Sequence, residues 1–260
     1  MPAKRITAVA AGAVLVGAFT VTAPAEAVGL EHAAAATKAC PSAGKAPKLN
    51  WGKPTFVDDF TGSGPNKNNW FIYHYPKDRI PRVREAIQVR NGALEIASGL
   101  RGGRETYGGL IHKQRIKYGR WEVRVRADRG AGFRPVVLLW PPEPIAKWPD
   151  DGEINLIEMH DGARKKALHF LHFGPNDDKC DWLVRKNFTR WHTVAVDWLP
   201  NRITFWVDGK QTVSITDRKY IPTTSVMQLA LQNDPECCRN GATPKLVRMY
   251  VDWVKVYRRP

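Results

Sequence analysis

Glu153, Asn155 and Glu158 carry the strongest chemical signal in the chain. They sit within WPDDGEINLIEMH, residues 148–160. Leu156, Ile157 and Met159 make this segment partly buried, and a buried carboxylate without a task is costly. The plainer alternative is a surface strand with solvated glutamates. Two carboxyls facing one groove have a definite chemistry open to them, cleavage of a glycosidic bond. Retention of configuration needs them roughly 5–5.5 Å apart, one attacking the anomeric carbon while the other protonates the leaving oxygen.

That chemistry sets a geometric demand. Side chains alternate along a strand, so residues 153 and 155 share a face and residue 158 falls on the other. It returns to the first face only if one extra residue bulges out between 155 and 158, and Leu156 and Ile157 are the place for it. Five residues of extended chain span roughly 16 Å. The bulge, sheet curvature and two long side chains must close that gap.

The elements that position this segment read as short strands separated by turns. Alternation or β-rich composition marks 87–89, 94–97, 121–127, 136–140, 153–158, 167–173, 192–199, 203–207, 226–231 and 249–257. Asn91-Gly92, Asp161-Gly162, Pro200-Asn201 and Asp208-Gly209 supply turns, and residues 192–215 read as two tight hairpins. No helical period of useful length and no internal repeat follows the N-terminal region. The fold expected is all-β, a two-sheet antiparallel sandwich of jelly-roll type with one concave, groove-forming sheet. Ten tryptophans suit a sugar groove, because an indole offers a flat partner to the C–H face of a pyranose. Trp140, Trp148 and Trp182 flank loops near the acidic segment and are the platform candidates. Trp191, Trp198, Trp206 and Trp253 alternate within strands and read as core.

The N-terminus reads as a secretory signal over residues 1–27: basic Lys4 and Arg5, an apolar stretch, then Ala25-Glu26-Ala27. Residues 28–47 read as an Ala-rich leader and residues 48–260, about 210 residues, as one domain. No other stretch is apolar enough to span a bilayer. The net charge of +15 favours an anionic surface or glycan. It does not point to nucleic acid, since the basic residues are spread along the chain without a recognisable motif. The expected product is secreted and monomeric. Four cysteines in an exported chain imply disulfides. Of three possible pairings, loop placement favours Cys180 with Cys237 or Cys238, Cys40 taking the remaining one.

The acidic segment resembles the signature of glycoside hydrolase family 16, the laminarinase and lichenase group, at Gly152, Glu153, Ile154 and Glu158. The likeness extends through FVDDFTGS with NKNNW, YGRWEVRVRA, LHFG, WHTVAVDWLPNRITFWVDGK and YVDWVKVYR, from about Phe56 to Arg258. It implies a concanavalin A-like jelly roll and a retaining endo-glycosidase acting on β-1,3 or mixed β-1,3/1,4-glucan. Glu153 would be the nucleophile, Glu158 the acid/base and Asn155 a supporting group in place of the family's aspartate. Mutual repulsion and burial would raise the pKa of Glu158. His172 would lie on the neighbouring strand, within reach of the pair.

Departures from the family pattern lie in the sugar-binding region. Arg134 and Leu138 stand in the places of two tryptophans, with Trp140 nearby as a substitute. Tyr107-Gly108-Gly109-Leu110 stands for SGRI, and Gln228 and Gln232 lie in QLALQN in place of NLAVGG. Trp148, Trp140, His172, Arg134, Trp182, Gln228 and Gln232 are the expected substrate-binding residues. A more polar and basic groove leaves two alternatives: a relative acting on a galactan or anionic envelope polysaccharide, or a weakly active carbohydrate-binding protein. Catalysis needs no cofactor. The resemblance also suggests a structural calcium held by Asp59, Asp252 and the Gly92 carbonyl.

Overall fold

The computed structural model describes residues 40, 42–236 and 245–259. The signal segment and Cys237 and Cys238 lie outside the described residues. Among them, the strands run β1 (Phe56–Asp58), β2 (Trp70–Ile72), β3 (Ile87–Arg90), β4 (Ala93–Arg101), β5 (Arg104–Thr106), β6 (Gly108–His112), β7 (Gly119–Ala127) and β8 (Phe133–Trp140). Then follow β9 (Glu153–Glu158), β10 (Ala167–Phe173), β11 (Asp178–Val184), β12 (His192–Leu199), β13 (Arg202–Val207), β14 (Lys210–Ile215), β15 (Gln228–Pro235) and β16 (Val247–Arg258). Every strand-to-strand ladder is antiparallel. One sheet has the order β14-β13-β12-β7-β16-β4-β3, with β1 added to β16 and β5 to β4; the other has the order β11-β10-β9-β8-β15-β6-β2. The expected two-sheet sandwich is what the chain forms.

Side-chain alternation explains which faces meet. On β7, Trp121, Val123, Val125 and Ala127 are buried between the sheets, while Arg120, Glu122, Arg124 and Arg126 face outward. Each large apolar side chain buried this way stabilises the fold by about 1.5–3 kcal/mol. The second sheet differs at its centre. All of β8 and β9 is buried, because one face packs on the core and the other lies at the floor of a groove. That face holds its own apolar cluster of Tyr73, Ile111, Val136, Leu138, Trp140 and Ala230.

Three tryptophans read as core lie elsewhere. Trp198 is fully buried, but Trp191, Trp206 and Trp253 are half-exposed. On β13, Ile203, Phe205 and Val207 take the core-facing positions, so Trp206 points out, under Arg120. On β16 a register shift between Val251 and Trp253 changes the phase. Val251, Val254 and Val256 stay inside, and Trp253 emerges beneath Lys255. Arg124 and Arg126 lie over Trp191.

The disulfide also differs from expectation: Cys180 pairs with Cys40, their Cα atoms 5.6 Å apart. The reason lies in strand parity and sheet order. Cys180 faces the core, on the edge strand β11. Beyond Cys40, the Ala43 amide bonds to the Ser214 carbonyl and the Ala46 amide to Gln211. The chain thus runs along β14, the edge of the opposite sheet, and the disulfide closes that side of the sandwich. Part of the stretch read as a leader is therefore packed, with Cys40 and Ala46 buried.

Candidate active site

The bulge is present at the place the sequence requires. Along β8, Val136 opposes Glu158 and Val137 opposes Ile157, but the next residue, Leu138, opposes Asn155. Leu156 is the extra residue. Ile154, Leu156, Ile157 and Met159 all enter the core between the sheets. Glu153, Asn155 and Glu158 consequently share the groove face with Val136 and Leu138. Gly152 makes the approach possible. Its φ is +70°, and a Cβ there would lie 2.7 Å from the His172 carbonyl oxygen, so only glycine fits before Glu153. Glu153 and His172 are direct cross-strand partners.

The result is a compact, buried cluster. One oxygen each of Glu153 and Glu158 and a ring nitrogen of His172 all lie within 4.8 Å of one another. Asp177 accepts from His172 Nδ1 at 2.7 Å, which fixes that ring. Glu153 Oε2 and both amide atoms of Asn155 are buried and find no hydrogen-bond partner among the described residues. Asn155 lies close enough to ease Glu153 slightly toward its charged form, but without a well-aligned bond.

The electrostatics reverse one expectation. Burial would raise Glu158, but the guanidinium of Arg134 and the imidazole of His160 override it and hold its carboxyl far below the usual range. Arg134 Nε is 3.6 Å and His160 Nε2 3.1 Å from Glu158 Oε2. Glu153 is the carboxyl that rises, to about 7: its burial outweighs the pull of His172, and Glu158 pushes in the same direction. His172 is raised despite burial, by Glu153 and then Asp177. Mutual repulsion therefore acts on Glu153, because the cations cluster on the Glu158 side.

The structure sorts the expected sugar contacts. Trp140 and Trp148 stack with centroids 4.7 Å apart, and Trp148 lies 5.5 Å from the His172 ring, making an aromatic wall beside the pair. The loop carrying Trp148 is tied down by Asp151, which accepts from the Lys147 amide and the Thr224 hydroxyl. Gln228 opposes Trp140 on the groove face and donates to the His112 carbonyl. Gln232 accepts from Arg82. Arg134 is in the groove, but it serves Glu158. Trp182 is not in the groove. Two residues from core-facing Cys180, it shares that face and packs near Phe205, so strand parity removes it from the sugar contacts.

Several site residues lie outside the motifs that the sequence singles out. His160 lies two residues beyond Glu158, and Glu236 lies just past β15. Arg82 reaches from a loop onto the Tyr73 ring and pairs with Asp234 at 2.8 Å. Tyr73 in turn covers Gly109, where a Cβ would meet its ring at 2.5 Å. That explains a glycine at this position. The parity of His160 with Glu158 was readable; the long-range partners were not.

The calcium expectation finds a suitable neighbourhood but not a suitable donor set. Asp58 pairs with Val254 and Leu94 with Val251, which brings Asp59, Gly92 and Asp252 to one region. The Asp252 carboxylate, however, is engaged by the Arg124 guanidinium, a cation that repels a second one. Among the described residues the group of three metal-capable side chains is Glu153, Glu158 and His172. Arg134 and His160 already neutralise Glu158 there, which disfavours a divalent ion.

A jelly roll whose second sheet presents two carboxyls on one face at this separation fits the glycoside-cleaving class. The chain belongs to the glycosyl hydrolases family 16, whose family model matches residues 81–255. It is similar to a beta-glucanase of Rhodothermus marinus, 27% identical over 77% of this chain and 78% of that one. A glucan endo-1,3-beta-glucosidase A1 of Niallia circulans is 24% identical over 56% of this chain, which spans a quarter of that protein. The fold is similar to the solved laminarinase from Rhodothermus marinus, with a TM-score of 0.70, 22% identity and coverage of 79% of this chain and 97% of the other. Among the described residues, no helix is long and apolar enough to cross a membrane.

Proposed function

We propose that this glycoside hydrolase is a retaining endo-β-glucanase acting on β-1,3 or mixed β-1,3/1,4-glucan, with Glu153 as nucleophile and Glu158 as acid/base. The carrying observation is the placement of Glu153 and Glu158 on one groove face, with carboxylate oxygens within 4.8 Å. Such closeness leaves no room for the water that inversion places between the two groups. The likeness to glucan-cleaving proteins supports the substrate. So does the groove's charge. Arg82 faces Asp234 and Arg134 faces Glu158, so neither is a free cation for a sulfate or uronate.

Glu153 attacks the anomeric carbon as Glu158 protonates the leaving oxygen. Glu158 then activates water against the glycosyl ester. Trp148 and Trp140 present flat faces to the sugar. His172, held by Asp177, is pushed toward its charged form by Glu153 despite its burial. Asn155 offers Nδ2 to Glu153 or to a sugar hydroxyl. The enzyme works outside the cell as a monomer after removal of residues 1–27. The Cys40–Cys180 disulfide supports an oxidising compartment. Its basic outer face, including Arg126 over Tyr250, favours association with an anionic cell surface.

Proton NMR of the first products from a soluble β-1,3-glucan tests the mechanism. The β-anomer should form first and mutarotate later; α-product at the earliest times overturns retention. Glu153→Gln and Glu158→Gln should each abolish release of reducing ends with the thermal midpoint preserved. Normal turnover in either variant overturns the assignment.

A further inference from the structure

Glu158 has a neighbour that the carboxylate-pair mechanism does not use. His160 Nε2 is 3.1 Å from Glu158 Oε2, and His160 Nδ1 is 3.0 Å from Glu236 Oε1. Beyond the bulge normal alternation resumes: Glu158 faces the groove, Met159 enters the core, and His160 returns to the groove side. Glu236 arrives from the end of β15. One imidazole therefore spans two carboxylates, one at each ring nitrogen.

The arrangement answers a chemical difficulty. The leaving glycosidic oxygen needs a proton from Glu158, yet Arg134 and His160 both flank the same oxygen of that carboxylate. A carboxyl between two cations rests ionised. Arg134 does not release a proton at any working pH. The nearest transferable proton is on His160 Nε2.

We propose that His160 is the proton reservoir of Glu158, held in its charged form by Glu236, so that the general acid is a Glu236–His160–Glu158 chain. This rests on the retaining mechanism above and adds a positioning residue to it. In the first step the Nε2 proton passes to Glu158 and on to the leaving oxygen. The bond from the anomeric carbon to that oxygen breaks as the Glu153 ester bond forms. In the second step water adds to the anomeric carbon and the ester bond breaks. The water's proton returns through Glu158 to Nε2, and each cycle restores the starting charges.

The surroundings agree. Among the described residues, Glu153 on β9, Arg134 on β8, His172 on β10, Asp234 on β15 and Arg164 below the turn are further charged groups near the chain. Phe170 closes one side of the imidazole, its ring centroid 5.8 Å away. Burial would lower His160, but the two carboxylates raise it to about 9. In the resting site neither Nε2 nor Glu236 Oε1 makes a well-aligned hydrogen bond; a turn of the ring brings each N–H onto its oxygen.

The test is the pH profile of kcat/KM for wild type, His160→Gln and Glu236→Gln, on β-glucan and on an aryl β-glucobioside with an activated phenol. The activated phenol leaves without a proton. On β-glucan at pH 8, His160→Gln should lose activity by about tenfold or more, with its alkaline limb displaced to lower pH. On the aryl glycoside it should stay within about threefold of wild type, the range in which no general-acid contribution is lost. Glu236→Gln should move the same limb in the same direction by less, and it carries the test if His160→Gln fails to fold. Alkaline limbs that stay in place, or equal losses on both substrates, overturn the reservoir. Glu158→Gln measured alongside separates the two levels. If that variant is inactive while the His160→Gln limb stays in place, only the reservoir fails; if it is fully active, the retaining assignment fails as well.

Discussion

His169 Nδ1 lies 2.5 Å from the carbonyl oxygen of Leu156, the residue that the kink in β9 leaves without a cross-strand partner. A buried, unpaired carbonyl is costly, and a bulge creates one by construction. A carbonyl only accepts, so Nδ1 carries the proton and Nε2 faces the Thr212 hydroxyl at 2.9 Å. The ring also stacks on Phe205 of the opposite sheet, with centroids 4.7 Å apart. Burial lowers its pKa to about 4, so it stays neutral at working pH. The bulge that sets the spacing of the two carboxyls is thus braced against the far sheet by a histidine of the neighbouring strand β10, which never reaches the groove.

His169→Phe preserves the stack on Phe205 and removes the donor. We expect a loss of stability of about 1–3 kcal/mol, the penalty of an orphaned buried acceptor. Because the bulge sets the carboxyl geometry, kcat should fall by about tenfold, the scale on which small misplacements act, with KM little changed. Denaturant unfolding and steady-state kinetics check both. Lower stability with full kcat would mean that the sheet alone holds the bulge.

The acid limb of activity should report Glu153. As the proposed nucleophile Glu153 must be ionised, and burial with the nearby Glu158 charge raises it to about 7. Activity should therefore climb as pH rises through about 7. Asn155→Asp alters that limb in a defined direction. The new carboxyl is buried beside Glu153 and enters protonated, donating to it. A carboxylate accepting that bond titrates lower, and the two groups behave as a pair. The limb should move to lower pH, raising activity at pH 5–6 relative to pH 7. A kcat/KM profile with an unmoved limb would show that residue 155 does not tune the nucleophile.

The sequence made the bulge legible because parity is an integer constraint: two glutamates five apart cannot share a face of a regular strand. The same reasoning, applied to Trp182 and Cys180, would have placed Trp182 in the core. Proximity to a loop does not decide which face of a strand a side chain takes. β6 escaped notice because two glycines hide its alternation, yet Gly109 is needed under Tyr73. β11 escaped because an edge strand carries polar residues on its open face. Glu236 and Arg82 are joined to the site by tertiary approach alone, which local patterns do not encode. The Glu158 environment is hidden for the same reason: repulsion within the pair is visible in the motif, and the approach of Arg134 and His160 is not.

Trp148 and Trp182 offer a direct contrast between groove and core. Trp148 is half-exposed beside Trp140 and His172, so Trp148→Ala should weaken substrate binding, raising KM by about tenfold, a loss of roughly 1–1.5 kcal/mol of aromatic contact. Its thermal midpoint should change little. Trp182→Ala should leave KM unaltered and destabilise the fold by about 3 kcal/mol through the space left beside Phe205. Kinetics and thermal unfolding of the two variants decide the matter. A raised KM for Trp182→Ala would return that residue to the groove.

The Cys40–Cys180 disulfide supports the edge of the sandwich, not the chemistry. Its partners are 140 residues apart in sequence, so the cross-link restricts a long loop in the unfolded chain and should contribute about 2–4 kcal/mol. Cys180 opposes Leu171, and both side chains face the core, while neighbouring His172 faces the groove. Cys40→Ser should therefore lower the unfolding free energy by that amount and leave kcat/KM within about twofold, as expected for a site whose first contacts are intact. Peptide mapping under non-reducing conditions checks the pairing itself. A peptide joining Cys180 to residues 237–238 would overturn it, and loss of activity in Cys40→Ser at temperatures where the fold persists would tie the edge to the site.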